Sequence, residues 1–135
     1  MQLRYALLCD HANVTQDGKL NCIGIFDRLF ATSFPALHRE LFLVTAFETD
    51  PEDEGEQRQI HIQLINSDGQ TLTDLQGQIE FGVGKQVVNQ LHVFHDLQFA
   101  SSGPYQFNIF FDDNLVKAID LELVLVQPEQ SSPLS

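Results

Sequence analysis

Cys9-Asp10-His11 is the densest reactive cluster in the chain. Residues two apart on an extended strand share a face, so the Cys9 thiol and the His11 imidazole would stand side by side, as a thiolate and its base must. Spacing identifies neither a third residue to orient the imidazole nor an oxyanion donor, and a strand end beside a turn accounts for Asp10 and His11 equally well. The one other cysteine is Cys22. A hairpin turning around Thr15 and Gln16 is expected to set the two opposite each other. Both lie inside apolar runs, where free thiols pack as small hydrophobes, so they are read as reduced core residues.

The five histidines form no metal set. His92 and His95, three apart on a strand, point to opposite faces. His95 shares its face with Leu91, Val93 and Leu97 and is expected at the core edge. His61, between Ile60 and Ile62, faces outward, and His38 belongs to the polar stretch His38-Arg39-Glu40. Hard oxygens suited to calcium occur at Asp50 and Asp53 in an acidic loop and at Asp112 and Asp113 in a turn, without the spacing of an EF-hand loop. Gly82-Val83-Gly84-Lys85 lacks the spacing of a phosphate loop, and neither G-x-S-x-G nor H-E-x-x-H occurs. No cofactor is expected.

These residues sit in a chain of 135 with a hydrophobic fraction of 43%, eleven Phe and no Trp, enough for one domain with its own core. Nineteen acids against seven bases give a formal charge of -12, which disfavours nucleic acid and anionic membrane surfaces as partners. The apolar run from Tyr5 to Cys9 is too short for a signal segment, with bulky Leu8 where a small residue should precede cleavage. No run reaches the roughly 18 apolar residues of a membrane span, so a cytoplasmic location is expected.

Short segments rich in Val, Ile, Leu and Phe recur between turn residues, and no stretch repeats apolar residues at helical spacing. This predicts an all-β fold, a two-sheet antiparallel sandwich of about eight strands near 2–10, 19–28, 40–48, 58–66, 70–81, 87–99, 104–112 and 115–126. Asp68-Gly69 and Asp113-Asn114 predict hairpin turns, and Ser101-Ser102-Gly103-Pro104 a corner. Tyr105, Phe107, Ile109 and Phe111 alternate with polar residues and face the core. The phase of the last strand shifts between Val116 and Leu121, which predicts a bulge near Ala118 or Ile119. Pro128 to Ser135, with two prolines and three serines, reads as a disordered tail after a single domain, 1–127.

Three segments break the alternation: Tyr5 to Cys9, Leu20 to Phe26 and Leu41 to Phe47 are apolar on both faces. A second sheet covers one face, so the other needs a returning loop or a second subunit. Residues 29–37, apolar and containing Pro35, could be that lid. The surface around Phe26, Arg28, Phe30, Phe34 and Phe42 is therefore the expected interface or lid.

Arg4-Tyr5-Ala6-Leu7-Leu8-Cys9-Asp10, Gly18-Lys19-Leu20-Asn21, Gly24-Ile25-Phe26-Asp27 and Phe34-Pro35 together resemble the opening of an uncharacterised family of small bacterial proteins. Gly103-Pro104-Tyr105-Gln106-Phe107 and the hairpin at Asp112-Asp113-Asn114 resemble its ending. The resemblance implies a bacterial, single-domain protein and brings no catalytic or binding residues with it. The reading that follows is a non-catalytic binding or assembly module, homo-oligomeric or with an unidentified protein partner, with a calcium-dependent module as the alternative.

Overall fold

Alternating apolar residues with turn residues between them fold the chain into nine strands among the described residues, 1–84 and 87–127, of the computed structural model. The strands are β1 (Gln2–Val14), β2 (Leu20–Phe26), β3 (Arg28–Ala31), β4 (Ala36–Glu48), β5 (Gln57–Asn66), β6 (Thr71–Glu80), β7 (Val87–Phe99), β8 (Gly103–Phe111) and β9 (Asn114–Leu125). A single 3-10 turn, Pro51–Asp53, joins β4 to β5. Four strands form one sheet in the order β2-β1-β4-β7, and five form the other in the order β3-β9-β8-β5-β6. The expected sandwich is therefore present, with nine strands in place of eight.

The extra strand is β3. It pairs in parallel with β9, Arg28 to Ala31 running beside Glu122 to Leu125, while the other pairings are antiparallel. Four residues are too few to show an alternation in sequence, and the stretch Thr32-Ser33-Phe34-Pro35 that follows gives 29–37 the look of one loop. Only Asp27 separates β2, in the first sheet, from β3, in the second, and its carbonyl accepts a hydrogen bond from the Glu122 N–H at 3.0 Å.

The sheets meet over one large core. From the four-stranded sheet come Leu8, Leu41, Leu43, Phe47, Phe94, Leu97 and Phe99; from the other come Ile60, Ile62, Leu64, Ile79, Tyr105, Phe107, Ile109, Leu121 and Leu123. Phe94 and Phe107 touch across the gap with ring centroids 5.4 Å apart. Burying each such Phe contributes roughly 1.5–3 kcal/mol. The expected inward face of β8 is thus confirmed. At its start the Tyr105 hydroxyl donates to the Ser101 carbonyl at 2.7 Å and fixes the corner before Gly103 (φ 122°).

Local geometry corrects several details. The two-residue turn with both φ values positive is Asp112-Asp113 (45° and 67°), with Asn114 already in β9 opposite Phe111. Of Asp68 and Gly69 only Gly69 (80°) has positive φ, because Asn66 closes a longer turn by bonding Gln70. The bulge in β9 falls at Val116, where the register slips opposite Ile109 and Phe110, two residues before the expected place. Cys9 lies opposite Ile25 and Cys22 opposite Ala12, so the cysteines are not cross-strand partners, and both are free thiols. Asp96 adopts φ 53° and shifts the phase of β7, leaving His95 exposed while Phe94 and Leu97 are buried. The expected tail, 128–135, lies outside the described residues, as does Lys85.

Candidate interaction face

The run Leu41 to Phe47 is buried throughout, although its side chains alternate between faces. Leu41, Leu43 and Phe47 enter the main core. Phe42 and Val44 point the other way and form a second cluster with Cys9 and Ala12, flanked by Leu7, Leu20, Cys22 and Leu91. All eight belong to β1, β2, β4 and β7, so this outer layer is built by the four-stranded sheet alone. Its rim is open and apolar. Ile25, opposite Cys9, is 63% exposed; Val93, opposite Phe42, and Tyr5, opposite Ala46, are also exposed. Ile23 is 62% exposed and pairs with His11, whose ring stands edge-on to Phe42 at 5.0 Å.

The expected five-residue patch does not converge here. Phe42 belongs to the outer layer. Phe26 and Phe34 are half-buried against the main core, and Phe26 stands edge-on to the His38 ring at 6.3 Å. Arg28 and the 62%-exposed Phe30 lie on β3, in the other sheet. Of the expected lid, residues 28–31 pair their backbone with β9 in the other sheet, and Leu29 and Phe34 pack against the main core between the sheets instead of on the outer layer. What sequence reasoning missed is the rim, Tyr5, Ile23, Ile25 and Val93. The doubly apolar runs contain Tyr5, Ile23 and Ile25, but which of them a neighbouring strand would shelter depends on register.

The reactive candidates are held in structural roles. Cys9 is fully buried, and its thiol donates to the His11 carbonyl at 3.4 Å instead of meeting the imidazole. Burial and the neighbouring Cys22 push the Cys9 thiol up to about 11, the opposite of an activated nucleophile. Asp50, Asp53 and Asp112 do come together, around cations the protein itself supplies. Arg58 reaches Asp112 at 3.0 Å, Glu56 at 2.7 Å and Asp53 at 3.4 Å. The Met1 ammonium contacts Asp50 and lies 2.9 Å from Asp53. Burial raises the Asp53 carboxyl, yet the Asp50 N–H, the Met1 ammonium and Arg58 together hold it below its usual value. Asp112 is also held low, first by the Gln59 N–H and then by Arg58. Asp113 is an exposed turn residue. Among the described residues no three His, Cys, Asp or Glu side chains form a metal-holding group, and no helix is long and apolar enough to cross a membrane.

Two histidines differ from expectation. His61 faces outward but is half-buried, paired with Asp74 and stacked on Phe110 with centroids 5.6 Å apart. His92 is the buried one, and its Nε2 lies 3.3 Å from the Thr45 hydroxyl. Burial lowers its pKa to about 4, so it is neutral at pH 7.

A family of unknown function, DUF6941, matches residues 4–124. No curated protein matches the chain. Among solved structures, the Pseudomonas fluorescens alkylpurine DNA glycosylase AlkC bound to DNA containing an abasic site analog aligns at a TM-score of 0.44 and 11% identity. The alignment covers 88% of this chain and 30% of that one.

Proposed function

We propose that this chain, which belongs to the family of unknown function DUF6941, is a non-catalytic assembly module whose subunits associate through the outer apolar layer of the four-stranded sheet. The observation that supports it is the second hydrophobic cluster, Cys9, Ala12, Phe42 and Val44, ringed by exposed Tyr5, Ile23, Ile25 and Val93. A contiguous apolar patch on a monomer loses free energy against water that it regains against a matching surface. A second copy carries the same patch, and a two-fold axis through it makes the contact self-complementary.

Sedimentation velocity over about 1–100 µM, the range of weak to moderate self-association, tests this reading. The wild-type chain should sediment as a dimer or larger, and the double variant Ile23→Asp, Ile25→Asp as a folded monomer with an unchanged far-ultraviolet circular dichroism spectrum, because both side chains are already exposed. Phe30→Asp, on the other sheet, should leave the mass unaltered. A wild-type chain that is monomeric over the whole range overturns the proposal.

A further inference from the structure

Of the four sheet edges, two are blunted. β2 carries Gly24 at φ 70°, where its pairing with β1 is interrupted beside Asp10, and β3 is only four residues long. Bulges and short strands are the usual protections of an edge against pairing with another chain. The other two edges, β6 and β7, face each other across the open side of the sandwich, and among the described residues neither pairs its backbone there. Val87 to His95 contains no proline and no formally charged residue, in a chain with 26 acids and bases (19 plus 7).

Between these edges runs a groove of about 430 Å³. One bank is Ile60, Leu75 and Gly77, and the other is Gln90, Leu91 and His92. Gly77 lies opposite Ile60, and its missing side chain opens the groove at that point. The carboxamides of Gln76, Gln78 and Asn89 also line it. Two acceptors here, Asn89 Oδ1 and Gln90 Oε1, are buried and make no hydrogen bond. A buried acceptor without a donor carries a desolvation cost of about 1–3 kcal/mol that a donating ligand would remove.

We propose that the seam between β6 and β7 binds an extended, uncharged peptide segment, which adds to the free edge of β7 as a further strand of the four-stranded sheet. The peptide's backbone pairs with β7, as in strand-addition recognition generally. A hydroxyl on one of its side chains reaches an unpaired oxygen of Asn89 or Gln90, which project to opposite faces of β7, and one small apolar side chain fills the notch at Gly77 between Ile60, Leu75 and Leu91. Charged side chains are excluded, because nothing lining the groove carries a formal charge to pair with them. This site is separate from Ile23 and Ile25, which lie on β2 at the opposite edge of the same sheet.

The test is an amide-resolved NMR titration of the full chain with the acetylated, amidated hexapeptide Thr-Val-Thr-Val-Thr-Val, and with the same peptide methylated on alternate backbone nitrogens. The first should produce saturable shifts centred on residues 75–78 and 88–92, and the methylated form should bind at least tenfold more weakly. Gly77→Val should keep the fold, since a Cβ at Gly77 meets only Ile60 Cγ2 at 3.7 Å, and should weaken binding by at least tenfold. The proposal is overturned by an absence of shifts at millimolar peptide, by equal binding of the methylated form, or by Gly77→Val leaving affinity unchanged. Seam shifts produced by concentrating the protein alone would also overturn it, in favour of a second copy as occupant. Shifts confined to Ile23 and Ile25 would do the same, in favour of the outer layer as the peptide's site.

Discussion

His92 shows how one buried side chain ties stability to pH. Its unfolded imidazole takes up a proton near pH 6.5, whereas the folded one, desolvated beside Thr45, does so only near pH 4. Between these values the unfolded state binds more protons, so stability is intact above about pH 6.5 and falls as pH is lowered, by up to about 3 kcal/mol in total. Urea unfolding at intervals from pH 7.5 to 4.5 should show this slope in the wild type and lose it in His92→Gln, which keeps a hydrogen-bonding group toward Thr45. Asp53 and Asp112, held below the ordinary carboxylate value, add their own loss only below about pH 4, because their stabilisation disappears as they protonate. A wild-type curve flat to pH 4.5 would contradict the burial of His92. This histidine was visible in the sequence but was passed over in favour of His95. The phase shift at Asp96 reverses which of the two is sheltered, and nothing in the residue types announces a positive φ there.

Among the elements, Arg58 on β5 joins two turns that are far apart in sequence, the 3-10 turn carrying Asp53 and the β8–β9 turn carrying Asp112. Arg58→Met keeps much of the stem but leaves the buried Asp53 with fewer partners. The expected outcome is a lower midpoint in urea unfolding with an unchanged denaturant slope. An unchanged midpoint would mean that the Met1 ammonium and the Asp50 N–H suffice for Asp53. Strands and hairpins were the most legible elements, because alternation such as Tyr105, Phe107, Ile109 and Phe111 encodes both strand and face. β3 was not legible. Its four residues gain their partner from β9, nearly a hundred positions away, and no local pattern carries that pairing. The acids Asp50, Asp53 and Asp112 were legible as oxygen donors, but a sequence does not show that Arg58 reaches both Asp53 and Asp112.

Across the whole molecule, the charge of -12 opposes any association of identical copies. Raising salt from about 0.01 to 0.15 M shortens the Debye length from about 30 to 8 Å, which should tighten self-association several-fold in sedimentation equilibrium. Weakening with salt would instead indicate an interface held by ion pairs and would remove the apolar layer from that role. That two faces of one sheet are apolar was readable from Leu41 to Phe47. Which residues form the rim was not, because it depends on how four strands from distant parts of the chain align. The single residue between β2 and β3 has one more consequence. With the single residue Asp27 between β2 and β3 on one flank, and on the other six residues from β6 to β7 and no backbone pairing between those two strands among the described residues, the two layers behave like the covers of a bound book: the spine holds while the fore-edge parts, and any breathing of the fold exposes its interior from that side first.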